Sequence, residues 1–520
     1  MKLPFRLIAL AVVVLLAGAA QAAAKGKAEH IVVVVWDGMR PDFITPQYTP
    51  TLYQLARDGV FFKRHHPVYI STTEVNGTAI ATGMHPTGNG VIANTDYRPE
   101  LGILGPSATE GIEWIRRGDM LTGGRYILSP TVAETLQKAG IPTVIAGTKP
   151  VALLHDRQRQ KPGDAGGKSM TLFKGLTIPR SLQASLVKVN KDAAFPTNTT
   201  HPNTGPDGWT TRALTHGLWE KGVPKYTLLW LSEPDASQHD SGPGSPTSIS
   251  ALESSDKNLA EVLKMLEEKK VRDKTDVIIV SDHGFSTISR GPDITDILKK
   301  AKFKASKKFE DPEAGDVLVV ALGGSVCFYV YEHDETVTRK LVEFLQGTDF
   351  TGVVFSRIPL AGTFSLDQVR LNPPNVAPDV VISMRWSADR SDHGTPGMII
   401  ADGGTKGKGT HGSLSRFDMH NTLVAGGPDF KKGFLDEMPS GNADVAPTIL
   451  HLLGIKPSVT MDGRILHEAL VHGDSTPAVE TKTIEATNDL GVYRWRQYLT
   501  FSQVGGAIYF DEGNGEPVLK

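Results

Sequence analysis

Residues 30–38, HIVVVVWDG, combine a run of β-branched residues with a carboxylate at its end. A continuous apolar run of this kind is typical of a parallel strand that is buried on both faces. Asp37 follows the run directly, and open α/β sheets bind their ligands at the carboxyl ends of the strands. The stretch therefore predicts a mostly parallel central sheet, with Asp37 at the edge where function is expected.

Two further apolar runs end in the same way. Tyr226–Leu231 (YTLLWL) leads into SEPDASQH, and Asp276–Val280 (DVIIV) leads into SDHG. The acidic and imidazole side chains that follow the three runs are Asp37, Asp235, His239, Asp282 and His283. Because the ends of parallel strands meet at one edge of a sheet, these groups are expected to lie together. Asp with neutral His is the ligand chemistry of Zn²⁺ and related ions.

Amphipathic segments alternate with the apolar runs. The predicted helices are Thr49–Gly59, Thr131–Gly140, Trp209–Gly222 and Ile249–Val271, and a further strand is predicted at Thr143–Gly147. Alternating strands and helices favour an α/β architecture over separate all-α or all-β domains. We therefore predict a doubly wound, mostly parallel sheet with helices on both faces.

The segment Ser71–Asn94, STTEVNGTAIATGMHPTGNGVIAN, predicts a turn that feeds a short helix ended by Gly83. Thr73 would lie at the N-terminus of this helix. The unpaired N–H groups and the positive dipole end there favour an alkoxide or a phosphate, so Thr73 is a candidate nucleophile, with Thr72 the next candidate. Taken alone, a run of hydroxyl residues before a helix is more often an ordinary cap.

Composition and charge limit the classes of partner. The chain has 520 residues, of which 40% are hydrophobic and 22% charged, so it can bury a large core. Its formal net charge is -2, whereas nucleic-acid binders usually carry a basic excess. A nucleic-acid polymer is therefore not expected as a partner.

Residues 1–22 have the pattern of a secretory signal peptide. Lys2 and Arg6 precede an apolar run from Leu7 to Ala20, and a small-residue site predicts cleavage after Ala22. The run is shorter than the roughly 20 residues that a membrane span needs, so no membrane anchor is expected after cleavage. Cys327 is the only cysteine and excludes an internal disulfide. The predicted location is periplasmic or secreted.

Two segments depart from the α/β pattern. Residues 289–391 combine short apolar strands with one helix, which predicts an α+β cap inserted into a catalytic domain of residues 23–288 and 392–475. Residues 476–520 contain further β-rich runs and are predicted to be edge strands packed on the main sheet.

Several short motifs resemble those of the alkaline phosphatase superfamily and, within it, the nucleotide pyrophosphatase/phosphodiesterase branch. They are WDGMRPDF with Asp37, TPTLYQLARDGV, STTEVNGTAIATG with Thr73, HPTGNGVIAN with Asn94, SEPDASQHDSGP with Asp235 and His239, VIIVSDHGFS with Asp282 and His283, and GTHGSL with His411. The segment Asp444–Leu466 is also similar to the closing helix and loop of that superfamily. The resemblance covers nearly the whole mature chain and implies an alkaline phosphatase-like fold.

The resemblance also implies roles for these residues. Two zinc ions, or other divalent metals, would be bound, one by Asp235, His239 and His411 and the other by Asp37, Asp282 and His283. Thr73 would attack phosphorus and bridge toward the second metal, and Asn94 would donate to a non-bridging phosphate oxygen. Two metals about 4 Å apart clamp the attacking and leaving oxygens of an in-line displacement. The implied activity is hydrolysis of phosphodiester or pyrophosphate bonds in a small phosphate ester through a phosphothreonine intermediate.

The chain departs from the branch beside the nucleophile. Nucleotide-hydrolysing members usually place an aromatic residue directly after it to stack on a base, and here Glu74 stands there. A carboxylate cannot stack and would repel a second phosphate. Trp230 either retains one wall of a base slot or packs in the core.

Lys149 resembles a lysine of some monoesterases that has an arginine two residues further on. Val151 stands in place of that arginine, although Arg157 and Arg159 follow nearby. We therefore predict that diester hydrolysis predominates, with monoesterase activity that depends on Lys149. A phosphomonoesterase and a phosphonate C–P hydrolase of the same superfamily are the alternatives, and a catalytically silent metal-containing binding protein is a more remote one.

Other patterns are predicted to have no catalytic role. Ser391–Gly394 repeats the tetrapeptide SDHG, but no apolar strand leads into it, so a loop is expected. The stretch Gly163–Ser169 (GDAGGKS) is similar to the end of a phosphate-binding loop. Pro162 stands where the first glycine of that motif would lie, and no strand precedes it, so such a loop is not expected. His65 and His66 have no partner pattern and are predicted to lie on the surface.

Overall fold

The computed structural model describes residues 26–157, 168–197, 200–473 and 477–520. The predicted signal peptide of residues 1–22 and most of the GDAGGKS stretch lie outside them. The centre of the molecule is a nine-stranded sheet. Its strands, in order across the sheet, are Phe434–Gly441, Val60–His66, Leu423–Gly426, Thr275–Val280, His30–Trp36, Tyr226–Leu231, Thr143–Gly147, Met170–Phe173 and Leu176–Ile178.

The pairing confirms a mostly parallel sheet. The strand His30–Trp36 pairs in parallel with Tyr226–Leu231 on one side and with Thr275–Val280 on the other. The strands Leu423–Gly426 and Leu176–Ile178 run antiparallel to their neighbours. Alternate side chains of the middle strand enter two different cores, Val33 on one face and Val34 on the other, which explains why the run is apolar throughout.

Helices cover both faces of the sheet, as predicted. Helix residues of one core include Ile80, Leu136 and Ile449, and those of the other include Leu55 and Leu259. The helices are Pro50–Asp58, Thr73–Thr82, Pro86–Asn89, Ile112–Thr122, Val132–Lys138, Ala152–His155, Gln183–Val189, Thr204–Arg212, Asp235–Ser241, Pro246–Glu268, Ile294–Lys300, Glu335–Gln346 and Val445–Leu452. A π-helical turn, Ala213–Leu218, continues the helix Thr204–Arg212. No helix of the described residues is both long and apolar enough to cross a bilayer.

The segment between the ligand-bearing motifs forms a sheet of its own, the cap sheet. Its six strands, in order, are Ala305–Ser306, Val317–Ala321, Ser325–Val330, Val380–Met384, Thr351–Ser356 and Phe364–Ser365. A four-stranded sheet of Trp386–Arg390, Pro396–Ile400, Ser286–Arg290 and Gly409–Thr410 joins this region to the catalytic part. Residues 289 and 391 as the limits of the cap stay a prediction.

The C-terminal residues differ from the prediction of edge strands on the main sheet. Strands Val479–Asp489, Tyr493–Val504 and Ala507–Leu519 hydrogen-bond to one another as a separate three-stranded sheet, the tail sheet. It packs against the cap sheet, where Gln497 bonds to both the N–H and the C=O of Val354. The tail sheet also packs on the main sheet through side chains, where Arg64 donates to Ser502 and His66 pairs with Asp511. Only the strand pairing therefore differs from the prediction.

Candidate metal centre and active site

The register of the central sheet brings the three strand ends to one level. Val35 lies opposite Trp230 on one neighbour and Val280 on the other, so all three chains leave the sheet together. Backbone contacts then tie the exits to each other. The Asp235 N–H donates to the Asp37 carbonyl at 3.0 Å, and the Gly38 N–H donates to Asp282 Oδ1 at 2.9 Å. The convergence predicted from the apolar runs is therefore present.

Asp235, His239 and His411 form a first group of ligand atoms close enough to hold one metal ion. Asp235 Oδ1 lies 3.3 Å from His239 Nε2 and 3.6 Å from His411 Nε2, and the two imidazole nitrogens are 3.2 Å apart. The His239 side chain is 41% exposed, so the group opens to solvent at this residue.

Asp37, Asp235 and His283 form a second group. His283 Nε2 lies 3.6 Å from Asp37 Oδ1 and 3.2 Å from Asp282 Oδ2. The His283 and His411 rings stack with their centroids 3.6 Å apart, which places the two groups side by side. Asp235 takes part in both groups, whereas the resemblance assigned it to the first alone. Asp282 as a ligand of the second metal stays a prediction.

The carboxylates fit a metal because each has one oxygen held by the protein and one buried oxygen with no hydrogen-bond partner among the described residues. The unpartnered atoms are Asp37 Oδ1, Asp235 Oδ1 and Asp282 Oδ2. Burying a charged oxygen without a partner is costly unless a cation binds it. These oxygens are the ones that face the imidazole nitrogens.

The imidazoles fit a metal as well. The Nδ1 atoms of His239, His283 and His411 each lie within 3.1 Å of a backbone carbonyl, those of Gly409, Gly284 and Ser71. An Nδ1–H that donates to a carbonyl fixes the tautomer and leaves the Nε2 lone pair free for a metal. Burial lowers the pKa of His283 and, together with repulsion from the other two rings, that of His411. Both rings are therefore neutral at physiological pH, as metal binding requires.

The carboxylates of the site repel one another when no metal ion lies between them. Burial and the nearby charges of Asp235 and Asp282 raise the pKa of Asp37 well above its usual value. Burial also raises the pKa of Asp282, to about 6. For Asp235, burial is outweighed by Lys149 and His239, which hold its pKa well below the usual value.

Thr73 begins a helix at this edge of the sheet. The helix Thr73–Thr82 is buried along its length, and Gly83 ends it in the left-handed conformation with a φ of 70°. The Thr73 hydroxyl lies 3.3 Å from His283 Nε2, beside the second group. Thr72 stands at the cap position, but its side chain makes no capping hydrogen bond. Capping therefore does not account for the run of hydroxyl residues.

Asn94 contacts the residue that follows Thr73, and Lys149 contacts two of the carboxylates. Asn94 Oδ1 accepts a hydrogen bond from the Glu74 N–H at 3.1 Å, which leaves the two amide donors of Asn94 for another partner. Lys149 Nζ lies 2.9 Å from Asp37 Oδ2 and 3.1 Å from Asp235 Oδ2. It thus contacts the oxygens opposite those that face the imidazoles. Arg157 pairs instead with Asp119 and Glu134, and Arg159 lies outside the described residues.

The structure corrects one alternative for Trp230 and adds residues that the sequence did not indicate. Trp230 is fully buried, and its indole Nε1–H donates to Asp37 Oδ2 at 2.9 Å, so it orients the Asp37 carboxylate and forms no wall of a base slot. Phe285 packs against the rings of His239, His283 and His411. Gln238 donates to the Gly38 carbonyl. Each of these contacts joins distant segments, and no local motif encodes it.

Comparison with known proteins shows the family of this chain. Residues 31–414 match the family described as type I phosphodiesterase / nucleotide pyrophosphatase. Human ectonucleotide pyrophosphatase/phosphodiesterase family member 7 is 23% identical over 89% of both chains. Venom phosphodiesterase 2 of Crotalus adamanteus is 23% identical over 85% of this chain, which spans only 47% of the venom protein.

Solved structures agree in fold. Murine ectonucleotide pyrophosphatase/phosphodiesterase 5, an inactive variant in complex with AMP, superposes with a TM-score of 0.58 at 18% identity, over 85% of this chain and all of that one. The alkaline phosphatase-like fold predicted from the motifs is thereby confirmed. Because the family match covers most of the chain, the protein belongs to the type I phosphodiesterase/nucleotide pyrophosphatase family.

Proposed function

We propose that the chain is an exported phosphohydrolase with two metal ions, most simply Zn²⁺, that cleaves small phosphodiesters through a phosphothreonine intermediate. One observation carries the proposal: three unpartnered carboxylate oxygens and three imidazole Nε2 atoms converge beside the Thr73 hydroxyl at a helix N-terminus. Export rests on the signal pattern of residues 1–22.

The chain's own residues divide the work. Bound metal ions supply Lewis-acid stabilisation of the attacking and leaving oxygens. Thr73 Oγ1 attacks phosphorus, a new P–O bond forms, and the bond to the leaving alkoxide breaks; the departing alcohol takes up the proton that the threonine gives up. The adduct on Thr73 keeps the second ester group of the diester. Water then attacks its phosphorus, the P–O bond to Thr73 breaks as a proton from the water returns to the threonine oxygen, and a phosphate monoester is released. Asn94 is suited to donate to a non-bridging oxygen because its carbonyl is already held by the Glu74 N–H.

The surroundings of Thr73 favour a diester over a monoester. Glu74 follows Thr73 directly, is buried, and interacts with the carboxyl group of Glu110. Whether ionised or sharing a proton, this pair supplies no positive charge for the extra negative charge of a monoester or a second phosphate. Lys149 is the cation beside the carboxylates and supports a lesser monoesterase activity.

The names of the relatives support the same reaction class. They include venom phosphodiesterases and a bis(5'-adenosyl)-triphosphatase from Xenopus laevis that is 22% identical over 82% of this chain and 78% of its own. Glu74 in place of a stacking residue argues against ordinary nucleoside triphosphates as substrates of this chain. We therefore propose diesters without a second phosphate.

A direct test compares bis(p-nitrophenyl) phosphate with p-nitrophenyl phosphate on the zinc-loaded mature protein. Faster release of nitrophenol from the diester, lost on chelation and restored by zinc, supports the proposal. Much faster monoester turnover would make the protein a phosphomonoesterase. Absence of turnover of either ester would favour a binding protein, and full activity in chelator would exclude the metal mechanism.

A further inference from the structure

One buried amide side chain, that of Asn442, touches both halves of the candidate active site. Asn442 follows the strand Phe434–Gly441 and is fully buried. Its Nδ2 donates to the main-chain carbonyl of Asp282 at 2.6 Å and to Asn76 Oδ1 at 3.0 Å. Asn442 thus bonds to the Asp282–His283 segment and to the helix that begins at Thr73, although it lies 160 positions from Asp282 and 366 from Asn76 in sequence.

Asn76 carries the connection to the turn before Thr73. Its Oδ1 also accepts from the Val68 N–H at 2.7 Å. Its Nδ2 lies within 3.3 Å of three backbone carbonyls, those of Val68, Ile70 and Thr72. The turn that delivers the Thr73 hydroxyl is therefore folded around the amide that Asn442 holds.

The amide oxygen of Asn442 is also hydrogen-bonded. Its Oδ1 lies 2.9 Å from His65 Nε2 and accepts from Asn421 Nδ2 at 3.2 Å, and Asn421 also donates to the Ser281 carbonyl. His65 and His66 are both buried rather than on the surface as predicted, because the strand Val60–His66 lies inside the central sheet. Both donors and both acceptor positions of the Asn442 amide are thus used, so its orientation is fixed.

We propose that Asn442 is a positioning residue that fixes the separation between the Thr73 hydroxyl and the Asp282–His283 segment. Its amide nitrogen donates to both segments, to Asn76 on one side and to the Asp282 carbonyl on the other. Misplacing a reacting group by about 1 Å costs on the order of 100-fold in rate, and loss of a residue that orients a metal ligand costs about 10- to 100-fold in metal affinity or activity. The activity part of this inference rests on the proposed function; the metal part does not.

The test replaces the amide by an isosteric carboxylate. Asn442→Asp keeps the size of the side chain but sets an acceptor against two acceptors, the Asp282 carbonyl and Asn76 Oδ1. Gln497→Glu is the matched control, since Gln497 is a buried amide with two hydrogen bonds to Val354, between the tail sheet and the cap sheet. Both variants should lose thermal stability, whereas only Asn442→Asp should affect activity and zinc binding.

We measure kcat and KM with the faster of the two nitrophenyl esters, and zinc affinity by competition with a chelator. Asn442→Asp should lower kcat by about 100-fold with KM within about threefold, and weaken zinc binding by about tenfold. Gln497→Glu should leave kcat and zinc affinity within about twofold of the wild type, since it lies outside the site.

Wild-type kcat and zinc affinity in Asn442→Asp would overturn the inference, as would equal losses in Gln497→Glu at equal loss of thermal stability. If Asn442→Asp does not fold, Asn442→Ser is judged by the same criteria, since its smaller side chain leaves space for water. If the wild type hydrolyses neither ester, the proposed function fails, and the ratio of the zinc affinities alone decides whether Asn442 positions the ligands.

Discussion

The chain contains the tetrapeptide SDHG twice, and the two copies have opposite environments. Ser281–Gly284 follows the fully buried strand Thr275–Val280, and its Asp282 and His283 are themselves fully buried. Ser391–Gly394 forms the turn between strands Trp386–Arg390 and Pro396–Ile400, where Asp392 and His393 are exposed. As predicted, the second copy is a loop. Whether the Asp and His of the tetrapeptide reach the candidate metal centre therefore depends on the strand that precedes them.

The hydrogen bonds of the two copies explain the difference. In the first copy, Asp282 Oδ1 accepts from the Gly38 N–H, and the Ser281 hydroxyl accepts from the Met39 N–H, so the turn is bonded to a neighbouring strand exit. In the second copy, the bonds are local: the Ser391 N–H donates to the Thr395 carbonyl and the Gly394 N–H to the Ser391 carbonyl. A local turn cannot bring its Asp and His to ligands from other segments.

The largest expected effect is on activity, and it should distinguish His283 in the first copy from His393 in the second. His283→Ala removes a group that faces two carboxylates and the Thr73 hydroxyl, so diester turnover should fall about 1,000-fold or more, with loss of bound metal. His393→Ala should leave both unchanged. Steady-state kinetics and elemental analysis of the two variants provide the measurement. Equal losses of turnover and of metal would show that the two copies do not differ in function.

His155, a buried histidine outside the candidate metal centre, should make the free energy of unfolding depend on pH. Burial lowers the pKa of His155 to about 3, whereas the unfolded chain has the ordinary value of about 6.5. Between these two pKa values the unfolded state binds more protons than the folded state. The free energy of unfolding is therefore highest above pH 6.5 and decreases as the pH falls below it. From pH 6.5 to 5 the loss from this group is about 2 kcal/mol.

His155→Phe should therefore reduce the acid loss of unfolding free energy by about 2 kcal/mol. The measurement is urea unfolding of the chelator-treated protein at both pH values. His393→Phe is the control, since its exposed ring is hydrated in both states, and should follow the wild type. A wild-type pH dependence in His155→Phe would contradict the buried neutral ring.

Two buried tryptophans provide a second comparison: Trp230 lies on the strand Tyr226–Leu231, and Trp219 hydrogen-bonds to that strand from the helix layer. The Trp230 indole donates to Asp37, whereas the Trp219 indole donates to Thr227 within the core. Trp230→Phe should lower zinc affinity by about tenfold because Asp37 loses an orienting donor, while Trp219→Phe should change only stability. Chelator competition measures both variants, and equal zinc affinities would remove Trp230 from the site.

The smallest effect concerns the choice of ester. Lys149 is partly exposed beside Asp37 and Asp235, so its removal should lower the ratio of monoester to diester turnover by about fivefold. Lys304→Ala, an exposed lysine paired with Glu313 in the cap, is the control. An unchanged ratio in Lys149→Ala would assign Lys149 to the charge balance of the ligands alone.

The sequence predicted the parts of this molecule that local patterns encode. A buried run followed by a carboxylate identifies Asp37 and Asp282, and a hydroxyl run before small residues identifies Thr73. The Trp230–Asp37 and Asn442–Asp282 bonds join residues 193 and 160 positions apart, so they depend on strand register and not on a motif. For the same reason the tail strands pair with one another and not with an edge of the main sheet as predicted: strand propensity shows that strands form but does not show which strands pair.

The phosphothreonine intermediate is the claim on which the account depends most. The wild type is incubated with p-nitrophenyl phosphate, quenched in acid and mapped by peptide mass spectrometry, with Thr73→Ala analysed for metal content and for the same adduct. We expect a phosphoryl group on Thr73 in the wild type, and in Thr73→Ala a full complement of metal with neither adduct nor turnover. A phosphoryl group on Thr72, or wild-type turnover in Thr73→Ala, would contradict it.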